Sequence, residues 1–100
     1  MKIQDIDGNT ALHRAVINGN FQISAALVNA DYKVLNVQNR DGVTALMYAI
    51  LWDQTRLAMA LIDQGARVDL RDVYGRDALA YCDVYVRPVV RKYVLSKLGE

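Results

Sequence analysis

The stretch Gly42-Val43-Thr44-Ala45-Leu46-Met47-Tyr48-Ala49 decides the fold, because the chain writes it three times. Gly8-Asn9-Thr10-Ala11-Leu12-His13-Arg14-Ala15 precedes it, and Gly75-Arg76-Asp77-Ala78-Leu79-Ala80-Tyr81-Cys82 follows it. Gly8 to Gly42 is 34 residues and Gly42 to Gly75 is 33. Downstream, Ala26-Leu27-Val28 answers Ala60-Leu61-Ile62, so the extra residue of the first repeat falls within Asn29 to Leu35. That is a connecting stretch, where one inserted residue is tolerated. A fixed period of this length marks stacked helical units that bury their faces on one another.

Each unit has the same physical grammar. The glycine stands where the chain must turn sharply, at positive φ. Thr10, Thr44 and Asp77 follow two residues later and are good helix N-caps. Short alanine-rich apolar runs come next, Ala11 to Ile17, Ala45 to Trp52 and Ala78 to Tyr85, which let neighbouring helices approach closely. Asn18-Gly19-Asn20 and Asp53-Gln54 break the first two units. A second helix follows, with Ile23, Ala26 and Leu27, then Leu57, Ala60 and Leu61, at helical spacing. In the third unit Pro88 belongs in the first turn, where its missing N–H costs least, and Val89, Val90, Tyr93 and Val94 supply the apolar face. Between units, Val34 to Asp41 and Val68 to Tyr74 alternate partly and read as extended or hairpin-like connections.

The bulk numbers agree. One hundred residues suit one domain over 1–100, with repeats near 7–40, 41–73 and 74–100. Hydrophobic residues are 53% of the chain and charged residues 23%, a globular composition. A net charge of +1 gives no field arguing for nucleic acid or an anionic membrane. No apolar run approaches the ~20 residues of a bilayer span. Met1-Lys2-Ile3-Gln4-Asp5 lacks the apolar core of a signal peptide, so a cytoplasmic protein is expected, with nuclear or secreted use left open.

The pattern Asp-Gly-x-Thr-Ala-Leu-His, a polar break, a Leu-rich helix and then Gly65-Ala66-Arg67-Val68-Asp69 resembles the ankyrin repeat. The resemblance covers roughly residues 5 to 98. It implies an all-α, helix–turn–helix solenoid with short hairpin-like loops between repeats. Ala11, Ala45 and Ala78 depart from it, standing where the family usually has proline, and repeat one lacks the usual glycine near Ala30. The third repeat is the loosest, as befits a terminal cap.

Catalysis needs reactive groups held together, and the sequence offers few. His13 is the only histidine; the motif implies a hydrogen-bonding role at a helix start rather than a base or metal ligand. Cys82 takes the position of Ala15 and Ala49 and reads as core packing. The aspartates are scattered over turns and caps, with no dense calcium loop. No phosphate-cradling GxxxxGK[ST] loop occurs. No catalytic residue, cofactor or metal is therefore expected.

Binding is the expected function, through positions where repeats differ within a shared frame. Spacing of i, i+4 puts Tyr48 with Trp52, and Tyr81 with Tyr85, on shared helix faces. Ankyrin-type stacking then sets these four rings side by side, beside Leu51, as an aromatic strip of the kind that dominates binding hot spots. The alternative is that Tyr48 and Tyr81 pack between helices while Trp52 and Tyr85 cover an edge. The turn tips add Arg40, Asp41, Tyr74 and Arg76. The expected partner is another protein, with no nucleic acid and no membrane. A second reading is an assembly domain that docks on a neighbour or self-associates, since repeat one carries the apolar Val16, Phe21, Ile23 and Val28. Arg87, Arg91, Lys92 and Lys97 read as the solvated face of the last helix.

Overall fold

Every glycine-and-cap signal starts a helix. The computed structural model describes residues 4–99; Met1-Lys2-Ile3, read above for leader character, and Glu100, the end of the third repeat, lie outside the described residues. The first helices are α1 (Ala11–Ile17), α3 (Ala45–Leu51) and α5 (Ala78–Tyr85), and the second helices are α2 (Phe21–Ala30), α4 (Thr55–Asp63) and α6 (Pro88–Leu98). Thr10 accepts the His13 N–H at 3.3 Å, Thr44 that of Met47 at 3.2 Å and Asp77 that of Ala80 at 2.9 Å. Such caps stabilise by about 1 kcal/mol each. Pro88 opens α6, as its missing N–H predicts.

The first helices lie side by side in the order α1, α3, α5, and each second helix packs on its partner. Leu12, Val16, Leu46, Ile50, Val90 and Val94 are buried between them. Among the described residues there is no strand. At each tip a hairpin-like turn closes, as between Asn39 and Val43, whose backbones bond at 3.0 Å.

The chain departs from expectation in three places. Tyr32–Asn36 forms a 3₁₀ helix, where an extended connection was expected from Val34 onward. The cause lies in the missing glycine. In repeat two, Gly65 at φ +99 halts the chain after α4. In repeat one, α2 runs on through Ala30, and Asp31 caps a new turn by accepting the Lys33 N–H. Second, α2 buries Ser24 and Val28, whereas Ile23 is 52% exposed and Ala26 is exposed. The equivalents of Ile23, Leu57 and Val90, are buried. Among the described residues no helix pair covers Ile23 on that side. Third, Arg87 is not a solvated cation. Its guanidinium donates to the carbonyls of Ile50 and Leu51 at 2.9 and 3.3 Å, closing the C-terminal end of α3. Arg91 pairs with Asp83.

Candidate functional site

The tips are built by one side chain repeated three times. Asp5, Asn39 and Asp72 each stand three residues before the turn glycine. In each, Oδ1 accepts two backbone N–H groups at 2.9 Å: Asp7 and Asn9, Asp41 and Val43, Tyr74 and Arg76. The tips also bond to one another. The Arg40 N–H donates to the Asp7 carbonyl at 3.0 Å and the Val73 N–H to the Asp41 carbonyl at 2.9 Å. Gly42, at φ +75, lets this happen: a Cβ there would stand 2.8 Å from the Cα of Asp72.

The second side-chain atom of each turn residue reaches nine residues on, to the first helix. Asp5 pairs with Arg14 at 2.7 Å. The Asn39 amide donates to the Tyr48 hydroxyl at 2.9 Å. The Tyr81 hydroxyl donates to Asp72 at 2.7 Å. Asp72 also takes the Arg76 guanidinium at 2.9 Å. That guanidinium lies 5.2 Å from the centre of the Tyr74 ring and 5.1 Å from that of Tyr81, close enough for cation–π attraction.

These contacts shape a cleft of about 260 Å³ between repeats two and three. Tyr48, Leu51, Asp41, Tyr74, Arg76, Tyr81 and Tyr85 line it, with Val43 and Asp72. Of the residues singled out from sequence, Trp52 and Arg40 fall outside. Trp52 is the C-cap of α3 and 53% exposed, one residue past the helix. Arg40 borders a separate polar cleft between tips one and two, beside Gln4, Asp5 and Gln38. Nor is the strip uniformly a surface. Tyr81 is 3% exposed and belongs to the core, which corrects the expectation that the rings stand outside it; Tyr48 and Tyr85 are half-buried against it. The reason is Asp72, which gives the buried Tyr81 hydroxyl an acceptor. Asp72 was missed as a site residue, although it stands to Tyr81 in sequence as Asn39 does to Tyr48.

The electrostatics of the cleft follow from burial and hydrogen bonding. Burial opposes ionisation of Asp72, yet the donors Tyr81, Arg76 and Tyr74 outweigh it and hold its carboxyl below the usual range. Burial first, and then the facing Asp72 carboxylate, push the Tyr81 hydroxyl far up, so it stays a donor. Burial also raises Tyr48. His13 is held neutral by burial. Its Nδ1 accepts the Thr10 N–H at 3.0 Å, and the Nε2–H donates to the Val43 carbonyl at 2.8 Å. It is thus a strut between α1 and the second tip. Burial, then Asp83, pushes the Cys82 thiol up to about 11, far from a thiolate at neutral pH. Among the described residues no three His, Cys, Asp or Glu side chains gather as a metal site, and no helix is long and apolar enough to cross a membrane.

A family profile described as ankyrin repeats (three copies) matches residues 1–72. The chain is 33% identical over 82 residues to human NF-kappa-B inhibitor zeta, covering 79% of this chain and 11% of that protein. It is 34% identical over 76 residues to chicken NF-kappa-B inhibitor alpha, covering 73% of this chain and 24% of the relative. It is 30% identical over 100 residues to the phosphocholine transferase AnkX of Legionella pneumophila, covering 91% and 10%. The chain thus spans between a tenth and a quarter of the length of these relatives.

Proposed function

The chain belongs to the ankyrin-repeat family, a family of protein–protein interaction modules that is generally non-catalytic, and from that premise we propose that it binds a protein partner in the cleft between repeats two and three. The observation that carries this reading is the convergence of Tyr48, Tyr74, Tyr81 and Tyr85 around Arg76 in one concavity. Aromatic rings supply large contact area for little conformational entropy, and hydroxyls for orientation. The lining carries both Asp41 and Arg76, which suits a polypeptide bearing both charges. The charge of Arg76 is committed to Asp72, and the carboxylates nearby disfavour a phosphate backbone. Relatives named as inhibitors of NF-kappa-B support a binding role.

The test begins with affinity capture on the immobilised chain and identification of the captured protein. Titrations with variants then locate the contact. Tyr74→Ala and Tyr85→Ala should each weaken binding about tenfold or more, the hot-spot range. Trp52→Ala, outside the cleft, should leave it within about twofold. The opposite ranking, with the fold intact, moves the contact out of the cleft.

A further inference from the structure

The cleft between repeats two and three is unbalanced in charge. Its lining carries two carboxylates, Asp41 and Asp72, against one cation, Arg76. Arg76 and Asp72 satisfy each other at 2.9 Å. Asp41 is exposed, and among the described residues its carboxylate has no ion-pair partner and accepts no hydrogen bond.

Repeat one is arranged otherwise. Arg14 stands where repeats two and three have Tyr48 and Tyr81, and its guanidinium pairs with Asp5 at 2.7 Å. That repeat supplies a cation of its own. In repeat two a ring takes the place of the cation, the turn carboxylate becomes Asn39, and Asp41 keeps its charge.

The groups around Asp41 suit a cation from outside. The half-buried Tyr85 hydroxyl makes no hydrogen bond among the described residues, so its oxygen is an open acceptor. The Tyr48 hydroxyl takes the Asn39 amide at 2.9 Å and keeps its own proton for an acceptor such as a peptide carbonyl. Arg76 shows how a guanidinium sits among these side chains: bonded to a carboxylate, and 5.1 and 5.2 Å from the centres of two tyrosine rings. A guanidinium is also more weakly hydrated than an ammonium, so it leaves water at lower cost. The volume of about 260 Å³ is below that of a drug-sized pocket and fits one long side chain.

We propose that the group seated in this cleft is an arginine side chain of the partner, with Asp41 as its counter-ion. This rests on the reading of the cleft as the partner's site and adds the chemistry of what enters it.

The probe is an acetylated, amidated pentapeptide with arginine between alanines, titrated into the full chain at low salt and followed by nitrogen–proton correlation spectra. Matched peptides carry lysine, citrulline or glutamate at the centre; citrulline keeps the shape of arginine and loses its charge. The arginine peptide should shift the amides of Asp41, Tyr48 and Tyr85 with a Kd on the order of 1 mM. The lysine peptide should bind more weakly, and the citrulline and glutamate peptides should leave the spectrum unchanged. Asp41→Asn should weaken the arginine peptide about fivefold, and Asp41→Glu should retain it. Asp41 is exposed and its side chain bonds nothing in the fold, so both variants should melt like the parent. Equal binding of the citrulline or glutamate peptide, indifference to Asp41→Asn, or no shift at roughly 20 mM peptide would each overturn the proposal. The two readings also fail separately. A captured partner weakened by Tyr74→Ala and Tyr85→Ala but not by Asp41→Asn keeps the cleft and overturns the arginine. Indifference to all three variants overturns the cleft, and the arginine with it.

Discussion

Tips two and three share a backbone and differ in the group inside it. Asn39 and Asp72 both hold two N–H groups with one oxygen. Their remaining atom is a donor in one and an acceptor in the other. The Asn39 amide reaches sideways to Asn9 of the preceding tip, at 2.9 Å, as well as to Tyr48. Asp72 finds Val43 at the position of Asn9, with no side-chain acceptor, and draws in its own Arg76 and Tyr81 instead. The middle tip therefore ties repeats together, while the last tip organises the cleft. One atom, NH₂ or O⁻, separates a turn that ties repeats together from one that shapes the cleft.

The comparison is most sharply tested at the glycines. Gly42→Ala and Gly75→Ala both force a side chain into left-handed backbone, at φ +75 and +79. Only the first also meets a neighbouring tip, since nothing lies within 4 Å of a Cβ at Gly75. Urea unfolding should show a loss of about 3 kcal/mol for Gly42→Ala and about 1 for Gly75→Ala. Equal losses would mean that tips two and three do not touch. Next, Asp72→Ala strands the buried Tyr81 hydroxyl and should destabilise by about 2 kcal/mol. Tyr81→Phe in the same background should recover part of that, because the stranded donor is gone; no recovery breaks the link between tip and ring.

Acid separates the tips in another way. Asp72 has its carboxyl depressed in the folded state, so between the folded and unfolded pKa values the unfolded chain binds more protons. Its contribution is complete above the ordinary carboxylate value of about 4 and fades as pH falls through the depressed one. Asn39 contributes nothing to that slope. Asp72→Asn should flatten the fall of stability below about pH 4, measured by urea titrations at successive pH values. The smallest effect belongs to the turns between paired helices, where Gly19, Asp53 and Val86 are equivalent and all left-handed. Val86 is β-branched and 74% exposed, strained with little packing in return. Val86→Gly should stabilise by roughly 0.5 kcal/mol, the relieved strain exceeding the added entropy of the unfolded chain.

Periodicity made the helices legible, because caps, glycines and apolar runs act locally and recur. Thr10, Thr44, Asp77 and Pro88 sit where propensity alone puts them. The face of α2 was misread because burial there depends on a neighbouring helix pair, and the described residues supply none against Ile23. The 3₁₀ turn at Tyr32–Asn36 arises from a glycine that is absent, a weak signal in any sequence. Of the candidate site, the rings were visible as residue types at helical spacing. The burial of Tyr81 was not, since it depends on Asp72, a residue in another element. The repeat did hold that clue in the fixed interval of nine residues from Asp5 to Arg14, Asn39 to Tyr48 and Asp72 to Tyr81.

The small position in α5 has a use outside packing. Cys82 is the only thiol in the chain, 1% exposed, where α1 and α3 have alanine. A disulfide reagent reaches it only when α5 parts from α3 or α6. Under native conditions its labelling rate is therefore a clock for the opening of the repeat that forms half of the cleft. Run against the amide exchange of α3, that clock reports whether the third repeat lets go before the stack does, and whether an occupied cleft slows it.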